Sequence, residues 1–297
     1  MAEHKLKIGK IPYANLFPIF YMLQKECDCS SYEFIEGVPS SVNRMLRDGK
    51  VDVSSSSSIE YLRNMDKYTF IEGHSISSIG PVGSIILFSR KPIEALDGDT
   101  ILTSSQSATS VALLEVIFKK FIKIKCNLNS SDFRLQASDF ELPAANACLL
   151  IGDDALRTKK AFTITTSLTL PPRGGGQGWV GDSKLQILNS GFTYIYDLGE
   201  LWHKYTGLPF TFALWIYKKD CCKEKMELLE KFKDDLNKAK KLALKNFKEI
   251  ASKSPLRNVL TEDELISYWK AVSYAFGTEH KKGFELFRKL SAELGLI

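Results

Sequence analysis

The stretch Val51-Asp52-Val53-Ser54-Ser55-Ser56-Ser57-Ser58-Ile59-Glu60-Tyr61-Leu62 indicates the fold of this chain. Its first three residues are typical of a short buried strand, and residues 59–65 are typical of a helix. The serines between them, residues 54–58, predict a polar turn where the strand gives way to the helix. This order of strand, polar turn and helix recurs along the chain, which predicts parallel βαβ units and an α/β fold.

The same alternation extends in both directions from that stretch. Further strands are predicted at residues 5–11, 32–36, 68–72, 85–89, 100–103, 133–136, 147–151, 194–198 and 210–217. Helices are predicted at 16–25, 40–46, 110–121, 223–252, 261–276 and 280–294, and Thr261 with Glu264 predicts a capping box at the fifth. The last three helices carry no strand of their own, so we expect them to cover the sheet of lobe 1, defined next.

The order of these segments predicts two lobes, because the chain starts one lobe, builds a second and returns to the first. Lobe 1 is predicted to comprise residues 1–89 and 198–297, and lobe 2 residues 90–197. Two crossings, near residue 89 and near residues 198–202, would form a hinge. A glycine-rich insert near residues 163–187 predicts a surface excursion, with a lid over the ligand as the alternative. Ligands of such folds bind between the lobes, at the carboxyl ends of parallel strands.

The composition argues against some classes of function. The 297 residues are 44% hydrophobic and 25% charged, as in ordinary globular proteins. The net charge of +5 comes largely from lysines on the predicted C-terminal helices, which is typical of a solvated helical face rather than a nucleic-acid site. The first residues lack the pattern of a signal peptide, so we expect a cytoplasmic protein, and no apolar run is long enough to span a membrane.

Cysteine and histidine spacing predicts neither disulfides nor a metal site. The six cysteines have no zinc-ligand spacing, and in a cytosolic chain we expect reduced thiols. The four histidines, His4, His74, His203 and His280, are scattered along the sequence. We therefore predict no metal.

Five segments share one local pattern, in which a predicted strand ends in small or polar residues before a helix or turn. They are residues 13–15, 54–58, 80–84, 104–110 and 152–154. Helix N-termini carry free N–H groups and a partial positive charge, which favour carboxylates and phosphates. Since none of the five segments contains lysine, arginine or histidine, the pattern predicts a small anion held by uncharged donors.

Each of these polar residues also has a purely structural interpretation. The serines and Thr109 could cap helices, Asn15 could stabilise a turn, and Ser84 could be an ordinary hydroxyl at a strand edge. Five consecutive serines exceed the needs of one cap, which favours ligand contact for part of the run. Asp153 and Asp154 are the obvious proton acceptors, although they too could cap a helix. The residues alone therefore predict a two-lobed binder of a small anion, and leave open whether it is an enzyme.

A set of short motifs carries a family resemblance. The motifs are Ile11-Pro12-Tyr13-Ala14-Asn15 with Pro18, Gly49-Lys50-Val51-Asp52-Val53 leading to Ser58-Ile59-Glu60-Tyr61, Gly80-Pro81-Val82-Gly83-Ser84, Ser107-Ala108-Thr109-Ser110, Leu149-Leu150-Ile151-Gly152-Asp153, Tyr196-Asp197-Leu198-Gly199-Glu200-Leu201-Trp202 and Thr206-Gly207-Leu208-Pro209-Phe210. In this order, and over nearly the whole chain, they resemble the chorismate dehydratases of the futalosine route to menaquinone. The chain departs from that family in its glycine-rich insert, where the usual connection is short.

The resemblance implies a type II periplasmic-binding-protein-like fold and a cytosolic lyase that uses no metal or organic cofactor. It implies that the small-molecule partner is chorismate, which loses water to give 3-[(1-carboxyvinyl)oxy]benzoate, and it implies neither a nucleic-acid nor a membrane partner. Asn15 and Ser84 are implied to be catalytic. The implied substrate-binding residues are Tyr13, Ser56, Ser57, Ser58, Ser107, Ala108 (through its backbone N–H), Thr109, Gly152 and Asp153. The oligomeric state stays open.

Two alternatives to the dehydratase remain. A sister enzyme of the same fold makes 1,4-dihydroxy-6-naphthoate and carries a catalytic histidine at the place of Gly152, so glycine favours the dehydratase. A non-catalytic receptor for a small anion would need export. Because the motifs of a dehydratase hold no strong general base, we hypothesise that the enolpyruvyl carboxylate of the substrate takes the ring proton.

Overall fold

The computed structural model of the protein describes residues 5–131, 145–168, 191–220 and 223–297, in two sheets flanked by helices. The strands are β1 (Leu6–Lys10), β2 (Tyr32–Glu36), β3 (Val53–Ser57), β4 (Tyr68–Ser78), β5 (Ile85–Ser89), β6 (Thr100–Ser104), β7 (Asn127–Ser131), β8 (Ala147–Ile151), β9 (Tyr194–Asp197), β10 (Phe210–Lys218) and β11 (Val272–Ser273). The helices are α1 (Phe17–Glu26), α2 (Pro39–Arg47), α3 (Ser58–Arg63), α4 (Ala108–Val116), α5 (Gly152–Leu168), α6 (Leu198–Thr206), α7 (Lys223–Lys245), α8 (Phe247–Ala251), α9 (Glu262–Ala271) and α10 (Thr278–Glu293). Short 3₁₀ turns lie at Ile93–Leu96 and Pro255–Asn258, and a π-helical turn at Ile117–Ile122 continues α4.

The first sheet has six strands in the order β11-β4-β10-β3-β1-β2. Strand β1 pairs in parallel with β2 and β3, as the βαβ pattern predicts. Strand β10 comes back from the second lobe and inserts antiparallel between β3 and β4. This returning strand joins the carboxyl-terminal third of the chain to the first lobe.

The second sheet has five strands in the order β7-β6-β8-β5-β9. Strand β6 pairs in parallel with β7 and β8, whereas β5 pairs antiparallel with β8 and β9. Strand β5 (Ile85–Ser89) therefore belongs to the second sheet, although the predicted boundary after residue 89 had placed it in lobe 1. The crossing from the first sheet to the second lies in residues 79–84, ahead of β5.

The serine run differs from its prediction as a turn. Residues Ser54 to Ser57 belong to strand β3, and only Ser58 begins the helix α3. Serine is a poor strand former, but β3 is hydrogen-bonded to β1 on one side and β10 on the other. Pairing on both edges overrides the weak local preference. As a result, alternate serines face opposite sides of the sheet.

The carboxyl-terminal helices also differ from their prediction. The helix predicted at 223–252 is interrupted at Asn246, and the helix predicted at 261–276 ends at Ala271. The next two residues form β11, which pairs with Ser77 and Ser78 at the edge of the first sheet, so this block does contribute a strand. The predicted capping box is confirmed, because Thr261 accepts from the Glu264 N–H and Glu264 accepts from the Thr261 N–H.

Around the second sheet, one strand was missed by the sequence prediction, and two predicted segments fall wholly or mostly outside the described residues. Strand β7 was not predicted. The strand predicted at 133–136 lies outside the described residues, as does most of the glycine-rich insert. The insert's first residues, from 163 to 168, continue helix α5.

Three apolar cores hold the described elements together, the smallest of them around Ile86, Phe88 and Leu150 of the second sheet. Helix α7 buries Leu229, Phe232 and Leu236 against α1 and β1 in the first core, so the helical block covers the sheet of lobe 1 as expected. The second core contains residues of both sheets and of helices α4, α6 and α10. At its centre the Trp202 ring packs edge-on against Phe210, with ring centroids 5.2 Å apart. The lobes therefore share this second core.

Four of the cysteines, Cys27, Cys29, Cys126 and Cys148, are not paired in disulfides in the structure, and the remaining two lie outside the described residues. No helix in the described part of the chain has the length and apolar character that a membrane crossing needs.

The carboxylate of Asp197 fastens the two crossings between the lobes to each other. Its oxygens accept from the backbone N–H groups of Val82, at 3.0 and 3.1 Å, and of Gly83, at 2.6 Å. The same carboxylate caps helix α6 by accepting from the Gly199 and Glu200 N–H groups at 2.9 and 3.2 Å. Asp197 is only 5% exposed, so these bonds are sheltered from water.

Gly199 allows the two crossings to come this close. A Cβ atom at this position would lie 2.6 Å from the carbonyl oxygen of Gly80 and 2.7 Å from the Ser78 hydroxyl oxygen. Both distances are shorter than van der Waals contact, so any larger residue would push the crossings apart.

We expect Asp197→Ala to lower the free energy of unfolding by at least about 3 kcal/mol, because it removes a helix cap and leaves buried N–H groups without an acceptor. Urea unfolding of the purified protein measures this loss. Asp220, an exposed aspartate, supplies the matched control, and Asp220→Ala should change the stability by less than about 0.5 kcal/mol. Equal losses in the two variants would contradict the role given to Asp197.

Candidate active site

A cavity lies between the two lobes, at the ends of strands from both sheets. Its empty space, with the solvent in its open mouth included, is about 650 Å³. Its polar lining residues are Tyr13, Asn15, Ser55, Ser57, Ser84, Gln106, Ser107, Thr109, Ser110 and Gly152. Its apolar walls include Ile11, Leu16, Ile76, Val82, Ile151 and Phe212. Among the predicted site residues, Tyr13, Asn15, Ser57, Ser84, Ser107, Thr109 and Gly152 line this one cavity.

Asn15 reaches the cavity from the turn between β1 and α1. The turn is held by the Tyr13 N–H, which donates to the Ile11 carbonyl at 2.9 Å, and by the Tyr274 hydroxyl, which donates to the Asn15 carbonyl at 2.7 Å. The backbone at Asn15 is therefore fixed from two sides. Its side-chain oxygen Oδ1 is buried and has no hydrogen-bond partner. A buried amide oxygen without a partner is costly unless a ligand or water supplies one.

The serine strand places two hydroxyls on the cavity. Ser55 and Ser57 line it, and the buried Ser55 Oγ has no partner. The Ser57 Oγ accepts from the Asn43 side-chain amide at 3.2 Å, which leaves its own hydrogen available. Because side chains alternate along a strand, Ser54 and Ser56 face the other side of the sheet.

The prediction that Ser56 and Ser58 contact a substrate is therefore wrong in its geometry. The Ser56 and Ser54 Oγ atoms are hydrogen-bonded to each other at 2.6 Å, away from the cavity. Ser58 donates to the Thr211 carbonyl at 2.6 Å and is fully buried in the first lobe. Both hydroxyls thus form hydrogen bonds inside the first lobe and do not point into the cavity.

Ser84 lies at the end of the first crossing, where the chain enters β5. Its hydroxyl is 2% exposed, lines the cavity and accepts from the Tyr268 hydroxyl at 3.0 Å. Its carbonyl accepts from the Gly152 N–H at 2.7 Å, which ties it to the end of β8. Two elements, helix α9 and strand β8, thus hold Ser84 in place.

Helix α4 presents its N-terminus to the cavity. Ser107 caps the helix by accepting from the Ser110 N–H, and its hydroxyl donates to the Ser110 Oγ at 2.6 Å. Thr109 Oγ1 accepts from the Ile59 N–H of the first lobe at 3.0 Å. Ala108 is exposed and its side chain does not line the cavity, so the structure leaves it only the predicted role of its backbone N–H.

Tyr13 spans the cleft between the lobes. Its hydroxyl donates to the Gln106 side-chain oxygen at 3.1 Å, and its ring lies against Gly152. Gly152 has φ of +59°, a left-handed conformation, and a Cβ atom there would lie 3.0 Å from the Tyr13 ring. Glycine is therefore required at position 152 both by the backbone and by the neighbouring ring.

Asp153 lies behind the cavity rather than on its wall, which corrects its prediction as a wall residue. Its Oδ1 accepts from the Ala14 N–H at 2.9 Å and so joins the second lobe to the turn that carries Asn15. Burial raises the pKa of the Asp153 carboxyl, although the Ala14 N–H acts in the opposite direction. The carboxyl positions the turn and leaves the cavity itself uncharged.

Electrostatically, the cavity is neutral. None of its described lining residues carries a charge, so a bound anion is stabilised by hydroxyls, amides and helix N-termini. The N-termini of α1, α4 and α5 begin at or beside lining residues. Arg44 and Arg47 line an adjoining depression that shares Gln106 with the cavity, and Arg47 is paired with Glu60.

The described histidines take no part in the site. The buried His74 ring is hydrogen-bonded to Asn237 at 2.8 Å, and burial lowers its pKa to about 4. His203 Nδ1 lies 3.3 Å from the Leu208 carbonyl oxygen. Within the described residues, no three histidine, cysteine, aspartate or glutamate side chains cluster as metal ligands.

Sequence reasoning missed Ser55, Gln106 and Tyr268. Ser55 would have followed from treating the serine run as a strand with a two-residue period. Gln106 lies in a segment already recognised as polar, between Ser104 and Ser107. No sequence signal points to Tyr268, since only the docking of helix α9 brings it to Ser84.

The fold and the site together define a two-lobed, binding-protein-like chain with a cavity between its lobes. The structure resembles a crystal structure of an Archaeoglobus fulgidus protein, with a TM-score of 0.71, 17% identity and coverage of 100% of both chains. It also resembles a Candida albicans protein described as having the generic periplasmic binding protein fold, with a TM-score of 0.64, 10% identity and coverage of 97% and 90%. The predicted periplasmic-binding-protein-like fold is thus confirmed.

The chain belongs to the menaquinone biosynthesis family, whose sequence model matches residues 6–168 and 179–293. A curated relative from Thermus thermophilus, named chorismate dehydratase, is 29% identical over 216 residues. That match covers 72% of this chain and 70% of the relative. The family resemblance predicted from the motifs is therefore confirmed.

We expect Gly152→Ala to destabilise the protein more than Gly98→Ala. Both glycines have positive φ, which costs alanine about 1–2 kcal/mol, but nothing lies within 4 Å of a Cβ atom at Gly98. At Gly152 the methyl group must also displace the Tyr13 ring, which adds about 1–3 kcal/mol. Unfolding free energies of the two variants measure the difference, and equal losses would refute the ring contact.

Proposed function

We propose that the protein is a lyase that removes water from chorismate to give 3-[(1-carboxyvinyl)oxy]benzoate, a step of menaquinone biosynthesis by the futalosine route. The observation that carries the proposal is the uncharged cavity in which two buried polar atoms, Asn15 Oδ1 and Ser55 Oγ, lack partners. Family membership and the relative named chorismate dehydratase support it. We also propose the cytoplasm as its location.

Chorismate is a dianion with two carboxylates, a hydroxyl and an apolar ring system. The hydroxyls of Ser57 and Thr109 are the proposed donors to its carboxylates, together with the N-terminal N–H groups of helix α4. Ser107 would contribute through this helix terminus, because its own hydroxyl hydrogen is donated to Ser110 Oγ. Ser55 adds a hydroxyl that the motifs had not indicated. The apolar wall, including Phe212 and Ile76, suits the ring. Such a site favours a small planar anion over a bulky or cationic ligand.

The proposed reaction breaks the C–H bond of the ring carbon that carries the enol ether and the C–O bond of the hydroxyl on the neighbouring ring carbon. The proton passes to a base, the hydroxyl leaves with the C–O electron pair, and the two together amount to one water. The electron pair of the C–H bond completes the aromatic ring. In this mechanism Asn15 and Ser84 hold the substrate and stabilise the charge that develops during the elimination.

The proton acceptor is proposed to be the substrate's own enolpyruvyl carboxylate. The described lining residues include no aspartate, glutamate, histidine or lysine that could take the proton. Asp153 is occupied by the Ala14 N–H behind the wall. A base carried by the substrate needs no such group from the protein.

The sister naphthoate synthase is a weaker candidate for this chain. A histidine side chain at position 152 would need a left-handed backbone and would collide with the Tyr13 ring. The local structure at position 152 therefore does not suit the catalytic histidine of the naphthoate synthase. A receptor function would leave the cavity able to bind chorismate without converting it.

The purified protein, incubated with chorismate, is expected to form the dehydrated aromatic product, which liquid chromatography with mass spectrometry detects. Since the substrate carries the base, kcat/KM should be nearly flat between about pH 6 and 8. Binding of chorismate without conversion would favour a receptor, and formation of 1,4-dihydroxy-6-naphthoate from its precursor would favour the sister enzyme. A rate that follows an enzyme group titrating near neutrality would refute the substrate carboxylate as base.

We expect Asn15→Ala to lower kcat by about 100-fold or more while chorismate binding is retained, because the lost amide acts mainly on the developing charge. Steady-state kinetics gives kcat, and isothermal calorimetry gives the affinity. Asn64, whose amide donates to the Glu60 carbonyl at 3.1 Å and which does not line the cavity, supplies the control Asn64→Ala. Unchanged turnover in Asn15→Ala would refute its assignment.

A further inference from the structure

The last turn of helix α9 and the residue after strand β11 bring three aromatic side chains to the back of the cavity. The Trp269 indole N–H donates to the Ala14 carbonyl at 2.8 Å, and the Tyr274 hydroxyl donates to the Asn15 carbonyl at 2.7 Å. The Tyr268 hydroxyl donates to the Ser84 Oγ at 3.0 Å. This segment of the first lobe therefore contacts both residues proposed to be catalytic, one through its backbone and the other through its hydroxyl.

The bond between the Tyr268 and Ser84 hydroxyls is buried, and the phenol is its donor. Tyr268 is 7% exposed and Ser84 is 2% exposed, so neither hydroxyl can rely on bulk water. Burial holds the pKa of the Tyr268 phenol well above its usual value, so the phenol keeps its proton. The structure shows Ser84 as the acceptor of that proton, and the reverse direction would leave the buried phenol hydrogen without one.

A consequence follows for the hydrogen of Ser84. A serine hydroxyl whose oxygen already accepts a bond has one hydrogen left, and the hydroxyl turns it toward an available acceptor. Ser84 lines the cavity, where a bound ligand offers such an acceptor. Without the phenol, the Ser84 hydroxyl could rotate freely and would donate into the cavity for only part of the time.

We propose that Tyr268 is a positioning residue whose hydroxyl turns the Ser84 hydroxyl into a donor aimed at the substrate. The proposal rests on the proposed dehydratase function for the identity of the substrate. In that reaction the Ser84 hydrogen meets the substrate oxygen on which charge develops. The bond joins helix α9 of the first lobe to the crossing into the second lobe, so this orientation holds only while the two stay docked.

The test is Tyr268→Phe, which removes the hydroxyl and keeps the ring. A wrongly oriented donor weakens mainly the stabilisation of the transition state. We therefore expect kcat for chorismate to fall by about 10- to 100-fold while KM changes little. Combined with Ser84→Ala, the same change should slow turnover no further, since the phenol acts only through Ser84. The control is Tyr68→Phe at a buried tyrosine that does not line the cavity, where turnover should stay at the wild-type rate.

Turnover of Tyr268→Phe at the wild-type rate would overturn the proposal and leave the dehydratase function intact. Additive losses in the double variant would overturn it as well, because they would show that the phenol acts independently of Ser84. Failure of the wild-type protein to dehydrate chorismate would count against the proposed function only. In that case, crystal structures of the wild type and of Tyr268→Phe decide the orientation. One Ser84 rotamer in the first and several in the second support the inference, and one identical rotamer in both refutes it.

Discussion

The carboxylate of Asp197 is the interaction on which the site depends. It accepts from N–H groups of both chain crossings, and so holds the segment that ends at Gly83 against the start of helix α6. Ser84 is the next residue, and its carbonyl in turn receives the Gly152 N–H. One buried anion thus fixes the relation of the two lobes and the place of a residue proposed to be catalytic. A carboxylate suits this task because a single group accepts several hydrogen bonds, each strengthened by its charge.

Around that anchor, the lobes meet through contacts that also form the cavity. The Ala14 N–H donates to Asp153, the Ile59 N–H donates to Thr109, and the Tyr13 hydroxyl donates to Gln106, each bond joining one lobe to the other. A shared apolar core with Trp202 and Phe210 at its centre supports the same arrangement. The polar groups that join the lobes are therefore close in the chain to the groups that would bind a ligand. The same turns use some of their atoms to hold the lobes together and others to line the cavity.

The chemistry available in this cavity is that of uncharged hydrogen-bonding groups, both donors and acceptors. Asn15 Oδ1 and Ser55 Oγ are buried without partners, and the described lining residues bear no charge. Such a surface stabilises an anion through dipoles that are already oriented, which needs little reorganisation as charge moves during a reaction. It also explains how a fold shared with binding proteins could support an elimination: the substrate brings its own carboxylate, and the protein contributes orientation and shelter from water. Tyr268 extends this logic, because a protonated phenol sets the direction of a hydroxyl without adding charge.

The sequence by itself determined the α/β class, most strand positions, the capping box at Thr261 and the polar segments that meet in the cavity. Those segments could be predicted because the carboxyl ends of parallel strands converge wherever the pattern of strands and helices repeats. The family resemblance supplied the roles of Asn15 and Ser84, which spacing alone left open. Tertiary structure decided which serines of the run face the cavity, since pairing with β1 and β10 made a strand of what reads locally as a turn, and alternation then turned Ser56 away. It also moved Asp153 behind the wall and brought Tyr268 to Ser84 across 184 residues of chain. Local sequence cannot encode such contacts, because they arise only when distant elements dock.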